Sequence, residues 1–392
     1  MKKFVRVISY VLVALVAAGA GFFGAARVRG NDSTGYSKLQ ELEDLIESRF
    51  IGESDRTVME DAAAEAMVDS LGDRWSYYIT AEDYASYAEQ MANEYVGIGV
   101  TIQKKDEDVA IRVTKVNPGS PAEEAGMQVN DYIIRVNGLS TEELGMDKTK
   151  NQVRGQEGTQ VEITVLRDGE ELTMMVTRRK IKTVVATAQM LEGQVGLITI
   201  ANFDTRCAEE TISCIDDMVS QGAKALIFDV RNNPGGYKDE LVKVLDYLLP
   251  EGPLFRSVDY AGREGLDSSD AGFLDLPFAV LVNEDSYSAA EFFAAAIREY
   301  DAGFVVGAKT CGKGYFQNTF RLQDGSAVGL SVGKYFTPNG VSLAGIGITP
   351  DYEVPVDEDT AVAIYAGTLP AMEDIQVLKA LEIIISENNL DE

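Results

Sequence analysis

Twice in the second half of this chain, a buried-type apolar run passes through a short turn into an amphipathic helix. The first instance is "AKALIFDVRNNPGGYKDELVKVLDYLL", from Ala223; the second is "PFAVLVNEDSYSAAEFFAAAIREY", from Pro277. Strands that alternate with helices from "GQVGLITIANFD" onward call for an α/β fold, because each strand must be covered by the helix that follows it. In the second unit the spacing predicts a strand over Phe278 to Val282 and a helix from about Ala289, with Ser288 at the joint. Backbone N–H groups at a helix start are unpaired and collect negative charge, as a developing oxyanion requires. A serine there can be a nucleophile. "SAAE", Ser288 to Glu291, is equally a capping box, so these residues alone leave both roles open.

A nucleophilic serine needs a base, and the chain has no histidine. That excludes a Ser-His-Asp triad, imidazole metal sites and histidine proton shuttles. Proton transfer falls to Asp, Glu, Lys, Tyr or Cys. Lysine can serve serine in this way. "GAKTCGKGY", Gly307 to Tyr315, places Lys313 between two glycines, 25 residues beyond Ser288 and after one helix and one strand. The stretch approaches a phosphate-binding loop, but Gly314 stands where Ser or Thr would meet magnesium, and "YFQNTFRL" continues as a strand. As a base the lysine must be neutral, which at an ordinary pKa near 10.4 occurs about once in 2,500 at pH 7. Lowering that pKa by about three pH units costs roughly 4 kcal/mol of desolvation. Flanking glycines permit close backbone packing, and Cys311 and Tyr315 supply less polar surroundings. A solvated lysine on a glycine hairpin is the competing reading.

Composition sets outer limits. The 392 residues suffice for about two domains. A formal charge of −28, spread along the chain, argues against nucleic acid as a partner and for solubility. Cys207 and Cys214 fall seven apart in a helical segment, roughly 10 Å along the axis, too far for a disulfide. With the solitary Cys311 they read as small apolar residues.

"ISYVLVALVAAGAGFFGAA", Ile8 to Ala26, carries no charge over 19 residues, about the length that crosses a bilayer. Lys2, Lys3 and Arg6 precede it, which suits a cytoplasmic start, whereas Arg27 and Arg29 blunt that asymmetry. We read an uncleaved signal anchor, a signal peptide cut near Ala25 being the rival. Either way the remainder is exported. From Leu39 to Met91 the periodicity predicts helices packed on a core, with apolar residues at Leu39, Leu42, Leu45, Ile46 and Phe50, and no chemistry.

"YVGIGVTIQKKDEDVAIRVTKV" alternates as strands do, with a charged hairpin at Lys104 to Asp108, and "SPAEEAGMQVNDYIIRVNG" gives a short helix and a strand ending in an Asn-Gly turn. Val96 to Arg179 thus resembles a PDZ domain, with "GIGV" (Gly97, Ile98, Gly99, Val100) at the family's carboxylate-binding loop. Convergent backbone N–H groups beside glycine and an exposed strand edge suit capture of a peptide C-terminus.

The ordered set "RNNPGG", "NEDSYSAAEFFAAA", "GAKTCGKGYFQ" and "KYFTPNGVSLAGIGITPD", with the late "DIQVLKALEIIIS", resembles the C-terminal processing peptidases, or tail-specific proteases, from about Leu39 to Glu387. The resemblance implies a Clp/crotonase-like α/β peptidase core with an inserted PDZ domain. It also implies a Ser-Lys dyad in which Ser288 is nucleophile, Lys313 general base and Gln317 the residue that orients the lysine. An oxyanion hole would come from the N–H of Ala289 and that of Gly235 or Gly236. Tyr287 stands where the family has a small residue and Cys311 where it has phenylalanine; Ser286 is a rival nucleophile off the family's position. The organisation expected is residues 1–30 as cytoplasmic tip and transmembrane anchor, 31–93 helical, 94–180 PDZ, 181–360 peptidase core and 361–392 helical. The implied enzyme is a single-pass membrane serine endopeptidase with its catalytic part outside the cytoplasm. It needs no metal or cofactor and cleaves exported polypeptides near their C-termini, with the PDZ domain recognising the substrate tail. Members also form homodimers through their terminal helices and use the PDZ domain as a gate. An inactive membrane-anchored PDZ scaffold is the alternative.

Overall fold

The computed structural model describes residues 37–104 and 110–390. The expected anchor Ile8 to Ala26 and most of the charged hairpin after Lys104 lie outside these residues. Among the described residues, no helix is long and apolar enough to cross a membrane. The described residues divide into two units, one ending at Arg74 and the other beginning at Trp75.

In the first unit, helix Ser37–Arg49 is followed by helix Arg56–Asp69, whose first turn is capped by Asp55 accepting from the Val58 N–H at 3.3 Å. Arg56 Nε pairs with Glu43 Oε1 at 2.6 Å and joins the two helices. The expected packing on a core is not met here. Leu42, Leu45 and Phe50 are 52, 51 and 58 % exposed, and the second helix buries none of its residues.

The second unit is built on a six-stranded sheet in the order Ala186–Met190, Val195–Ile200, Ala225–Asp229, Phe278–Val282, Gly303–Gly307, Tyr352–Glu353. The first pair is antiparallel and the rest are parallel. Successive side chains leave opposite faces of a strand, so a run apolar throughout must be covered on both. One face carries Ile198, Phe228 and Val280, which pack under helices Cys207–Ser220, Lys238–Leu248 and Ala289–Glu299. The other carries Leu197, Ile227 and Leu281, covered by Val377, Leu381 and Ile384 of helix Ile375–Asn388. A buried ionic cluster joins the two layers. Arg231, just past strand Ala225–Asp229, bridges Asp229 Oδ2 at 2.6 Å and Asp374 Oδ2 at 2.8 Å. Asp374 in turn caps the covering helix through the Gln376 N–H at 2.9 Å.

A five-stranded antiparallel sheet centres on the long strand Ala327–Phe336, which pairs with Tyr315–Arg321, Gly252–Asp259 and Tyr77–Ile79. The last strand corrects the reading of Leu39 to Met91 as a helical region. Tyr77 pairs with Gly329, more than two hundred residues further along, and pairing at that distance leaves no local trace.

The region resembling a PDZ domain has its own core, including Ile98, Ile111, Ile133, Val161 and Val165. Its sheet runs Val100–Gln103, Ile111–Val116, Tyr132–Val136, Gln160–Arg167, Glu170–Thr177. The short helix Pro121–Glu124 is present, with Ser120 as its cap, and Asn137 (φ 49°) and Gly138 (φ 77°) form the turn after Tyr132–Val136.

Candidate active site

Strand Phe278–Val282 is buried along its whole length and ends in the turn that carries both candidate serines. Their roles separate at once. Ser286 is fully buried; its Oγ donates to the Val230 carbonyl at 2.7 Å and accepts from the Asn283 N–H at 3.0 Å. Its hydroxyl holds the turn together. Ser288 is partly exposed and sits at φ 59°, ψ −120°, ahead of helix Ala289–Glu299. A non-glycine residue at that φ costs on the order of 1–3 kcal/mol and persists only where its surroundings enforce it.

The "PGG" turn provides part of that enforcement. Gly235, at φ 89°, lies so close that a Cβ on it would come within 2.7 Å of Ser288 Cβ and 2.9 Å of the Ala289 nitrogen. The structure also narrows the expected oxyanion donors. The Gly235 N–H is committed to Asn233 Oδ1 at 2.8 Å. Neither the Gly236 nor the Ala289 N–H makes a hydrogen bond among the described residues. Of the two glycines, Gly236 is therefore the one with a donor to offer.

Lys313 follows strand Gly303–Gly307, the parallel neighbour of the strand that leads to Ser288. Its loop is packed tightly: a Cβ on Gly314 would stand 2.5 Å from the Ala344 nitrogen, so only glycine fits. Lys313 Nζ lies 4.8 Å from the Trp75 ring centroid and 5.8 Å from that of Tyr287. These rings pack on each other at 5.8 Å. They shield the amine from water on one side and present π faces to the ammonium that forms when it takes a proton. The Gln317 amide nitrogen donates to Ser331 Oγ at 2.9 Å and to the Tyr315 carbonyl at 3.2 Å. That fixes the side chain and leaves its oxygen as the acceptor. Ser288, Lys313, Gln317, Gly235, Gly236 and Ala289 all line one cleft of about 1090 Å³.

Glu291, expected only as the capping partner of Ser288, is the hub of this arrangement. It is fully buried and accepts four hydrogen bonds: Ser288 N–H (3.1 Å), Lys313 N–H (2.9 Å), Gly312 N–H (2.6 Å) and the Thr310 hydroxyl (2.6 Å). Burial raises its carboxyl pKa, and the four donors oppose that rise. One carboxylate thus fixes the backbone of the serine turn and of the lysine loop. The Tyr335 hydroxyl donates to the Lys313 carbonyl, and burial holds this phenol well above its ordinary range. Trp75, the chain's single tryptophan, fell in a segment assigned no chemistry, and its place over Lys313 needs contacts that no local pattern encodes.

In the PDZ region, Gly97 ends strand Glu94–Gly97, Ile98 is buried and Gly99 takes φ 82°. The carbonyls of Ile98 and Gly99 accept from Ala122 and Asn117 N–H groups, each at 2.9 Å. Val100 opens strand Val100–Gln103, an edge of its sheet. An edge strand following a glycine loop is the geometry that β-addition of a peptide uses.

The fold, with a serine at a strained helix start and a peptide-type edge strand, defines the class of serine-type proteases that carry a PDZ domain. Comparison agrees: the model of Peptidase family S41 matches residues 194–354 and that of a PDZ domain residues 112–167. A probable CtpA-like serine protease of Staphylococcus aureus (strain COL) is 32% identical over 385 residues, 96% of this chain and 77% of that protein. One of Staphylococcus epidermidis (strain ATCC 12228 / FDA PCI 1200) is 33% identical over 321 residues, 81% and 65% of the respective chains. A putative S41 protease from Bacteroides fragilis NCTC 9343 shares the fold at TM-score 0.54 and 20% identity, over 82% of this chain and 90% of that one. The chain belongs to the CtpA-like C-terminal processing peptidases of family S41.

Proposed function

We propose that this serine protease works through a Ser288–Lys313 dyad and engages polypeptide substrates through the edge strand of its PDZ domain. The observation that carries the reading is the shared clamp: Glu291 holds the Ser288 turn and the Lys313 loop, and both side chains open into one cleft. Neutral Lys313 takes the Ser288 hydroxyl proton as Oγ attacks the scissile carbonyl. The tetrahedral oxyanion rests on the N–H groups of Ala289 and Gly236, where loss of one such donor costs about 2.7–4 kcal/mol. The lysine ammonium then protonates the departing amine, the C–N bond breaks and an acyl ester remains on Ser288. Water, deprotonated by Lys313, attacks the ester, and the proton returns to Ser288. Gln317 accepts from the lysine and keeps it directed at the serine. The segment Ile8 to Ala26 anchors the chain with its catalytic part outside the cytoplasm, where exported polypeptides present their C-termini.

The test is cleavage of casein and of a tagged peptide by the full chain, beside Ser288→Ala and Lys313→Ala. Both variants are expected to lose at least a thousandfold in kcat. Equal turnover by all three proteins overturns the dyad; no turnover by any of them, with peptide still bound, supports a scaffold instead.

A further inference from the structure

The cleft holds a second carboxyl group that the proposed mechanism does not use. Asp204 lies in the turn after strand Val195–Ile200 and lines the same cleft as Ser288 and Lys313, yet it is only 3% exposed. Its Oδ1 is buried and has no hydrogen-bond partner among the described residues. The backbone around it is fixed. Its own N–H donates to Asn202 Oδ1 at 3.0 Å, and its carbonyl accepts from the Cys207 N–H at 3.0 Å. The preceding residue, Phe203, forms a parallel bridge with Gly236, the candidate oxyanion donor. Asp204 therefore stands one residue from the chain that borders the reacting centre. A buried carboxyl with an unsatisfied oxygen costs stability, and a ligand that supplies the missing partner is one reason for a fold to keep it.

Among the described residues, the other charged and hydroxyl side chains around Asp204 are engaged elsewhere. Lys238, on the same cleft, pairs with Asp267 at 2.9 Å and Asp239 at 3.2 Å, and Lys243 pairs with Glu240 at 2.9 Å. The Tyr87 hydroxyl is shared between Tyr77 at 3.1 Å and Thr319 at 3.0 Å. Tyr87 and Tyr237 also line the cleft; burial raises both phenol pKa values, and the nearby charge of Asp204 adds to the rise. The lining of the cleft thus combines tyrosine rings with an acid that has one unsatisfied oxygen. A lysine or arginine side chain matches both: its methylene stem lies along tyrosine rings and its charged end meets the carboxylate. Burial supports the match from another side, since it pushes the Asp204 carboxyl up to about 7, and an incoming cation would restore its ionised form.

Resting on the peptidase reading above, we propose that Asp204 forms the floor of a substrate subsite that receives a basic side chain of the polypeptide being cleaved. This makes Asp204 a specificity residue with no part in bond cleavage.

Fluorogenic peptides sharing one C-terminal tail, so that any PDZ contribution cancels, would carry lysine or its uncharged isostere norleucine at successive positions around the scissile bond. At one position the wild-type protein is expected to favour lysine by about ten- to hundredfold in kcat/KM, the range of a charge-assisted hydrogen bond. Most of that preference should appear in KM. Asp204→Asn should bring the ratio to within about twofold, and Asp204→Glu should restore part of it. The same peptides bound to Ser288→Ala, followed by fluorescence anisotropy, give the preference without turnover. Should no peptide be cleaved by wild type, the peptidase reading fails while these affinities still decide the subsite. An unchanged lysine preference in Asp204→Asn, or no preference at any position in either assay, overturns the proposal.

Discussion

Glu291 and Asp204 are two buried carboxyl groups on opposite sides of one functional problem. Glu291 is completely enclosed and meets four donors; Asp204 is 3% exposed and has one oxygen that meets none among the described residues. Burial raises both pKa values, but hydrogen bonding opposes the rise at Glu291, and desolvation acts alone at Asp204 and carries it to about 7. The contrast shows that burial by itself does not define what an acid does. A satisfied carboxylate organises the backbone around it, and an unsatisfied one is a vacancy for a partner. On the proposed reading, the first ties the Ser288 turn to the Lys313 loop and the second meets the substrate.

Removing the satisfied acid should do the most damage. Glu291→Ala leaves three N–H groups and a hydroxyl without their acceptor, a loss on the order of 3–5 kcal/mol in stability. It should also lower kcat by more than a hundredfold, since the lysine loop and the serine turn lose their common tie. Glu291→Gln, which turns one oxygen into a donor facing donors, should fall between wild type and alanine in both respects. Thermal unfolding and peptide turnover check this; an alanine variant with wild-type kcat would show that the clamp has no role in catalysis.

The unsatisfied acid should respond oppositely, and only above a certain pH. In the unfolded chain Asp204 has the ordinary carboxyl value of 3.8, whereas burial in the folded protein pushes it up to about 7. Between these values the native state binds a proton that the unfolded state has released, so the contribution of Asp204 to stability is most favourable below 3.8 and is lost as pH rises through about 7. Asn carries no such liability. Asp204→Asn should therefore match wild type near pH 4 and exceed it near pH 8, by up to about 4 kcal/mol at 1.36 kcal/mol per pH unit. Urea unfolding at both pH values measures the difference. A gap independent of pH would mean that Asp204 is not held away from its ionised form, and the contrast with Glu291 would collapse.

These two residues also mark how far the sequence could be read. Strand Phe278–Val282 and the helix from Ala289 fall where the apolar run and the capping box place them, because local periodicity and turn chemistry determine both. The loop of Lys313 followed by strand Tyr315–Arg321 is likewise local. The capping box revealed half of Glu291's role. The other half depends on a loop about twenty residues away that folds back onto it. Asp204 left no signal, since an acid beside an apolar strand reads as a solvated turn until its surroundings close over it. Trp75 and strand Tyr77–Ile79 were missed for a related reason: their partners, Lys313 and Gly329, lie more than two hundred residues further along. In the first unit the opposite error occurred. The apolar spacing of Leu42, Leu45 and Phe50 correctly indicated a helix, yet periodicity says which side chains share a face and not whether anything covers them.

The most direct test of the central claim is labelling of the full chain with a fluorophosphonate, which reacts with an activated serine hydroxyl, followed by peptide mass mapping. The account predicts one adduct on Ser288, none on the buried and hydrogen-bonded Ser286, and a rate of labelling at least a hundredfold slower in Lys313→Ala. Labelling of Ser286, or labelling of Ser288 at the same rate with and without the lysine, would contradict it.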